Sequence, residues 1–213
     1  ETGVEGLYAL PLSMDINALY VNESLAPEPA LNLVDIEAQA SAGVPIVLEA
    51  NPTNGFWGFG SMGGLVTAED RLTDENAAAL IAWLAWLREM RDGGDIVLVD
   101  EHESARQAFL DGESAYLVGA ASDFFSLHSL GQTGQLSTGM LPSGPGGKAS
   151  PIMMAYGIMV NSATSNSQAL LLGDLARFLT DQETAHRIAE VAHLVPANTT
   201  IDQGEDPHIT AFS

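Results

Sequence analysis

Short apolar strand patterns alternate with amphipathic helix patterns along this chain, and that alternation restricts its fold more than any other feature. Alternation of this kind predicts an α/β fold rather than an all-helical or an all-strand one. The strand patterns occupy residues 7–22, 44–48, 96–99 and 115–118, and the helix patterns occupy residues 33–42, 73–93 and 100–110. With 213 residues, of which 46% are hydrophobic, the chain is long enough to bury a substantial core.

The first strand segment, residues 7–22, reads as two short apolar runs around a Ser13-Met14-Asp15 turn. Asp15 is the single acid between the runs. In an extended chain Ser13, Asp15 and Asn17 have the same parity, so their side chains would share one face. An isolated aspartate between strands often stabilises a turn or caps a helix, and that interpretation stays open beside ligand contact.

The charge of the chain is strongly negative, with 28 Asp and Glu residues against 7 Lys and Arg and a formal net charge of -21. Such a surface repels nucleic acid and anionic membranes, so neither is expected as a partner. The charge either keeps the protein soluble or forms an acidic face for a partner.

Cysteine does not occur in the sequence, which excludes disulfides, thiolate metal sites and a cysteine nucleophile.

The sequence contains no pattern that indicates catalysis. Its histidines are scattered without the helical spacing of a zinc site, and no Gly-x-Ser-x-Gly elbow occurs. Its densest polar cluster, residues 100–103, reads as the solvated start of a helix. We therefore expect a protein that is not an enzyme and uses neither a metal nor a cofactor. An enzyme would need acids that converge in space, which a sequence alone does not show.

Three helix starts carry capping signals. They are Thr73 followed by Asp74 and Glu75, then Ser165-x-x-Gln168, and then Thr180-x-x-Glu183. In the helix that follows Thr73, apolar residues recur at helical spacing at Leu80, Trp83, Leu84, Leu87 and Met90. This stripe predicts that Trp83 lies in the core and that the helix ends at Gly93 and Gly94.

Several further segments match one family in the same order along the chain. They are residues 22–25 with the proline-containing loop and helix pattern behind them, residues 109–119, residues 140–142 (Met-Leu-Pro), residues 157–161 (Gly-Ile-Met-Val-Asn), residues 179–183 and residues 194–197 (Leu-Val-Pro-Ala). With the opening segment, this ordered set resembles the middle portion of extracellular solute-binding protein family 1, the maltose and sugar receptors of ABC transporters. The resemblance covers about residues 5–200.

The resemblance implies an α/β fold of the periplasmic-binding-protein-like type II class, with two lobes of which lobe one is incomplete. Lobe two would comprise residues 18–151, and partial lobe one residues 1–17 with residues 152–200. Residues 201–213 would form a loosely held tail. The implied protein is a monomer that binds a carbohydrate or similar polyol outside the cytoplasm and delivers it to an ABC permease, with a leader or lipid anchor upstream of this chain.

The resemblance also implies which side chains meet the ligand. They are Asp15 and Asn17 at the first crossing between lobes, Asn51, Asn54, Phe56 and Trp57 in a glycine-rich loop, and Ser122, Asp123 and Phe124 after a strand. Trp57 is the favoured aromatic contact, although the aromatic residues of this loop could instead fill the core. Ser122 stands where the family often has an aromatic residue, which puts the stacking partner in question. A sensory or protein-interaction module that reuses the fold is the alternative function.

Overall fold

The computed structural model describes residues 9–65, 73–124, 126, 127, 130, 134–192 and 195–198. The strands are β1 Leu10–Asn22, β2 Val47–Glu49, β3 Val97–Val99, β4 Tyr116–Ala120, β5 Leu136–Gly139, β6 Met153–Ile158 and β7 Val195–Pro196. The helices are α1 Leu33–Ser41, α2 Gly58–Ser61, α3 Asp74–Gly93, α4 His102–Leu110, α5 Asn166–Thr180 and α6 Gln182–Ala192. The predicted alternation of strands and helices is confirmed for these segments. The predicted tail, residues 201–213, lies outside the described residues.

The prediction of two runs around a turn at residues 13–15 is wrong, because β1 is a single strand of 13 residues. Its first half pairs antiparallel with β6 and β7, and its second half pairs antiparallel with β4 and β5. The partner changes between Ile16, which pairs with β6, and Asn17, which pairs with β4. Because neighbours on both edges hydrogen-bond the strand, the extended backbone prevails over the local turn tendency of the sequence.

The second half of β1 is packed on both faces. Leu19 and Val21 belong to a core shared with α1 and α3, whereas Ala18 and Tyr20 belong to a second core shared with α4. Successive residues of a strand point to opposite faces. The uninterrupted apolar run at residues 18–21 is therefore the pattern of a strand that is covered twice.

Helix α3 begins and ends as the sequence predicts. The Thr73 side chain accepts a hydrogen bond from a main-chain N–H in the first turn, and Gly94 follows the helix with a φ of 79°. Trp83 is only 2% exposed, and its ring stacks on Trp86 at a centroid distance of 5.1 Å. Leu84, by contrast, is 54% exposed, so it lies outside the buried stripe to which the sequence pattern assigned it.

The capping predictions for the two later helices need correction. Ser165 is the N-cap of α5, but its hydroxyl donates to the side chain of Gln168 at 2.8 Å and caps no main-chain N–H. Helix α6 is capped by Asp181, whose carboxylate accepts from the N–H of Glu183, and not by Thr180. A carboxylate is a stronger acceptor than a hydroxyl for the free amides of a helix start, which explains the shift by one residue.

Strand β6 and helices α5 and α6 leave a large apolar surface uncovered, which we call the open face. Residues 153–157 of β6 are all exposed, although alternate residues of a strand face opposite sides. On α5, Leu170 and Leu171 are 75% and 71% exposed, and Val191 on α6 is 82% exposed. Large exposed apolar patches are uncommon in soluble proteins and mark surfaces that take part in interactions or promote aggregation. Within the described residues, none of the helices has the length and apolar character needed to cross a bilayer.

Candidate ligand-binding site

A histidine lies between two carboxylates where the segments after β2 and β4 meet the start of α4. His102, the first residue of α4, donates from Nδ1 to Glu49 Oε1 at 2.6 Å and from Nε2 to Asp123 Oδ1 at 2.9 Å. Glu49 ends β2 with a side chain that is 1% exposed. Asp123 lies just past β4 and also accepts from the main-chain N–H of Ala120 at 2.9 Å. We call His102, Glu49 and Asp123 the charged bridge.

The charged bridge holds the imidazole in its protonated form. Hydrogen bonds to Asp123 and to Glu49 raise the pKa of His102 from 6.5 to about 10, against the opposing effect of burial. At neutral pH both ring nitrogens are therefore donors, which matches the carboxylate on either side. The Asn54 amide nitrogen also lies 3.0 Å from Nδ1, but Nδ1 directs its proton to Glu49 and the Asn54 amide donates to Glu49 as well. The bridge is thus an ion-paired cluster that joins three segments distant in the sequence.

The loop that follows β2 is anchored on Glu49. Asn51 and Asn54 donate from Nδ2 to Glu49 Oε2, at 2.6 and 2.9 Å. Asn51 Oδ1 in turn accepts from the main-chain N–H groups of Thr53 and Asn54, at 3.0 and 2.8 Å. A Cβ at Gly55 would lie 2.5 Å from the main-chain oxygen of Glu49, so this tight loop requires glycine there.

Strand β1 presents two polar side chains to this region at the point where its partners change. Asp15 is 5% exposed, and its Oδ2 accepts from the Ser122 hydroxyl at 3.0 Å. Its Oδ1 reaches no donor at hydrogen-bonding geometry among the described residues. Burial raises the pKa of Asp15, and the negative charge of Asp123 adds to this rise, while the Ser122 hydroxyl and the main-chain N–H groups of Ser122 and Ala121 oppose it. Two residues further on, Asn17 Nδ2 donates to Asn54 Oδ1 at 2.9 Å, so the face predicted from residue parity connects to the loop.

The aromatic residues of the loop divide between core and surface. Trp57 is 3% exposed and packs against Trp83 with ring centroids 4.8 Å apart, so it belongs to the core. This is the alternative that the sequence left open, and it leaves Trp57 little surface for a ligand. Phe56 is half-buried and stacks on Phe59 at a centroid distance of 4.8 Å. Phe124 is also half-buried and packs against the core shared with α4.

The structure thus joins most of the predicted site residues through hydrogen bonds. Asp15 meets Ser122, and Asn17 meets Asn54. Asn51, Asn54 and Asp123 meet indirectly, through Glu49 and His102. Phe56 follows Asn54 in the same loop, whereas Trp57 is withdrawn into the core.

Two central residues of this site, Glu49 and His102, were missed from the sequence. The interpretation of residues 100–103 as a solvated helix start is wrong for His102, whose side chain is 30% exposed and bonded on both nitrogens. One signal was available, since Glu49 ends a short buried strand and acids are seldom buried without a partner. No local pattern marks His102 as that partner, because Glu49 and His102 are separated by 53 positions.

The described residues contain no His, Asp and Glu group arranged to hold a metal ion.

The fold of the chain is similar to that of several solved structures. The GacH receptor of Streptomyces glaucescens, solved unliganded and with acarbose, matches with a TM-score of 0.80 and 19% identity over 96% of this chain and 56% of that one. The maltose-maltodextrin binding protein of Alicyclobacillus acidocaldarius matches with a TM-score of 0.74 and 20% identity over 96% of this chain and 58% of that one. Maltose-bound MalE3 of T. maritima matches with a TM-score of 0.76 and 18% identity over 98% of this chain and 59% of that one.

These matches confirm the α/β, periplasmic-binding-protein-like fold with one incomplete lobe. The chain spans 56% to 59% of the length of these structures. No curated protein matches its sequence. The bacterial extracellular solute-binding proteins, as a family, match residues 1–211, and this family implies an extracytoplasmic location. The same match over nearly the whole sequence shows that the chain belongs to the bacterial extracellular solute-binding protein family.

Proposed function

We propose that this chain binds a carbohydrate or a similar polyol outside the cytoplasm, without chemical conversion, as part of a receptor for an ABC importer. The observation that carries the proposal is the buried Asp15 carboxylate: its Oδ1 lacks a partner at hydrogen-bonding geometry among the described residues, although the main-chain N–H groups of Ala121 and Ser122 lie close enough to favour its charged form. A buried acceptor of this kind is costly unless a ligand donor satisfies it. A sugar hydroxyl is such a donor.

The groups around Asp15 suit the other parts of a sugar. Asn17 uses one amide hydrogen for Asn54, so its amide retains both donor and acceptor capacity. The exposed Ser122 hydroxyl can pair with a second hydroxyl of the ligand. Half-buried Phe56 offers an aromatic face for the apolar side of a ring. We therefore propose Asp15, Asn17, Phe56 and Ser122 as direct contacts, with Phe124 beside them.

The charges of the site favour a ligand that is not an anion. Among the described residues that build the site, His102 is the one cation, and both of its ring nitrogens are bound to carboxylates. An acidic sugar would thus approach Asp15 and Asp123 without a cation to pair with it. Neutral sugars match the uncharged donors and acceptors that remain. The GacH receptor, solved with acarbose, and MalE3, solved with maltose, support the same class.

Binding would proceed by closure of two lobes around the ligand. In this proposal lobe two is residues 18–151, and residues 1–17 with 152–200 belong to lobe one. The boundary at residue 18 lies beside the point where the pairing partner of β1 changes from β6 to β4. In this proposal the second crossing between the lobes lies near Ser150. Rotation about these crossings would bury the sugar and present a closed surface to the permease. The receptor would act as a monomer, with the open face covered by the remainder of lobe one.

A hydrolytic function on this scaffold has little support from the geometry. Acids do converge, because Glu49 and Asp123 flank His102 and Asp15 lies nearby through Ser122. Both oxygens of Glu49 and both oxygens of Asp123 already accept hydrogen bonds within the protein. A general acid and base pair needs carboxyl oxygens that can reach the substrate.

The first experiment is a thermal-shift screen of the 213-residue chain against maltose, maltotetraose, neutral monosaccharides, glucuronate, amino acids and polyamines. A ligand at about 100 times its dissociation constant adds roughly 2.7 kcal/mol to the folded state, which such a screen detects. A shift with one neutral sugar series supports the proposal. A flat response from folded protein would favour the alternative, a sensory or protein-interaction module. In that case the gene would lack neighbouring permease genes and would encode a membrane helix and a signalling domain.

A further inference from the structure

The hydrogen bonds of the site divide its predicted contact residues into two groups. Asn51 has no capacity left, since its amide donates to Glu49 and to the main-chain oxygen of Asp100 while its oxygen accepts from two main-chain N–H groups. The carboxylates of Glu49 and Asp123 accept hydrogen bonds from the protein on both oxygens, which holds them in place. A ligand could bind Asn51 only by breaking bonds inside the protein.

The second group retains capacity and lies next to the first. Asn54 donates to Glu49 and accepts from Asn17 on one side of its oxygen, which leaves a second lone pair. Ser122 is adjacent to Asp123 in the chain and bonds to Asp15. The residues held by bonds inside the protein therefore adjoin the residues that retain capacity for a ligand.

We propose that His102 is the positioning residue of this site: by binding Glu49 and Asp123 at once, it fixes the Asn51–Asn54 loop and the turn after β4, and so sets the spacing between Asn17, Asn54, Ser122 and Asp15. The expected effect of His102 on sugar affinity rests on the proposed function. The positioning itself is a property of the unliganded chain.

The charges explain why a histidine performs this task. Glu49 has a side chain that is 1% exposed, and an unpaired carboxylate at that depth would be strongly unfavourable. A protonated imidazole supplies two donors at a fixed angle, so it can hold two carboxylates at a defined separation. Glutamine in its place would be uncharged and could not serve both acids in the same way. The titratable groups that face His102 are Glu49 at the end of β2 and Asp123 in the turn after β4.

The consequence of losing His102 is local. Glu49 would no longer have its charged partner, and its hold on Asn51 and Asn54 would loosen as the carboxylate moved toward water. Asp123 would lose one of its two bonds, so its contact with the N–H of Ala120 would become less constrained. The cores on either side of β1 do not include His102 and would remain packed.

The test uses nitrogen-detected NMR of the imidazoles and amide hydrogen exchange on the unliganded 213-residue chain. In the wild type, both ring nitrogens of His102 should be protonated at pH 8, with titration near pH 10. A neutral His102 at pH 8 would overturn the proposal without any variant, so the conclusion does not depend on whether a substituted chain folds.

His102→Gln provides the second measurement, with Lys148→Gln, which removes one positive charge from an exposed residue, as the control. We expect the N–H groups of Asn54 and Ala120 to exchange at least about tenfold faster in His102→Gln, because local opening becomes easier there, while Leu19 in the core keeps its protection. The control should change neither. Equal acceleration at all three amides, or no acceleration at Asn54, would overturn the positioning role.

Binding of maltotetraose to the same two variants separates this inference from the proposed function. If the wild type binds the sugar, His102→Gln should lower the affinity at least about tenfold, through looser spacing of the contacts. If the wild type does not bind it while the NMR result holds, the sugar assignment fails and the positioning role stands. If the sugar binds His102→Gln as tightly as the wild type, the positioning role fails and the sugar assignment stands.

Discussion

At the scale of single residues, the site combines a carboxylate with one unpaired oxygen and two carboxylates that the protein binds on both oxygens. Asp15 belongs to the first kind, and Glu49 and Asp123 belong to the second. A binding protein gains from this division. Carboxylates that are bonded inside the protein keep their positions, and the carboxylate with an unpaired oxygen is available to a ligand. For stability, this division predicts that neutralising Asp15 raises the free energy of unfolding.

The first prediction concerns Asp15→Asn. Burial raises the pKa of Asp15, so the folded state favours the protonated form. A raised carboxyl pKa contributes stability that is present below the unfolded value of 3.8 and is lost as the pH rises through the folded value. We therefore expect the variant to be more stable than the wild type at pH 7, by about 1 kcal/mol, and to lose this advantage at acid pH.

Urea denaturation at several pH values measures this difference, with Asp92→Asn as a control. Asp92 is exposed, so its substitution removes the same charge from the surface and should change stability by less than about 0.5 kcal/mol. A less stable Asp15→Asn at pH 7 would show that the ionised carboxylate has a favourable partner. Under the proposed function, the variant should also bind a sugar less tightly than the wild type.

The second prediction separates two neighbouring aromatic residues. Trp57→Ala should lower the free energy of unfolding by about 3–5 kcal/mol, because Trp57 is buried against Trp83. Phe56→Ala should cost less than about 2 kcal/mol, since Phe56 is half-buried, and should mainly weaken sugar binding. Chemical denaturation and calorimetric titration of both variants check this contrast. A stable Trp57→Ala with lost affinity would return Trp57 to the ligand site.

At the scale of elements, local signals were sufficient where a helix end depends on adjacent residues. For α3, Thr73 and Gly94 are neighbours of the backbone groups they satisfy, so the sequence contains the whole interaction. For α6 two candidate caps stand side by side, and their chemistry decides between them. Asp181 accepts from the first free amides, while the hydroxyl of Thr180 donates to a carbonyl of the preceding helix.

The third prediction tests these helix ends. Thr73→Ala should destabilise the protein by about 1 kcal/mol, because it leaves an amide of α3 without its acceptor. Thr180→Ala should have an effect within about 0.5 kcal/mol, since its hydroxyl caps no amide. Thermal unfolding of the two variants, side by side, makes the comparison. A larger loss for Thr180→Ala would indicate that the sequence-based capping box forms after all.

At the scale of the whole molecule, one part of the chain is well covered and another is not. The second half of β1 has cores on both faces, whereas β6, α5 and α6 form the open face. The solved relatives are longer than this chain, and the chain covers 56% to 59% of them. Under the proposed function, we expect the rest of lobe one to cover the open face.

The fourth prediction follows from that expectation. The 213-residue chain should bind a hydrophobic dye and associate reversibly as its concentration rises, through the open face. Replacing Leu170 and Leu171 together by Lys should reduce both effects and leave the melting temperature nearly unchanged, because these side chains are 75% and 71% exposed. Dye fluorescence and sedimentation velocity measure the outcome. A double variant that unfolds would show that these leucines are packed in solution.

The sequence by itself determined the alternation of strands and helices, the buried stripe around Trp83 and the ends of α3. Each depends on residues within a few positions of one another, so periodicity and capping chemistry are enough to read it. The ordered resemblance also anticipated the fold.

Only the tertiary structure decided the rest. The opening segment is one strand because β4, β5, β6 and β7 pair with it, and those partners lie far away in the sequence. Trp57 became a core residue through its contact with Trp83, and His102 became the centre of the site through Glu49 and Asp123. Burial and long-range hydrogen bonding depend on which segments the fold brings together, and no local pattern contains that information.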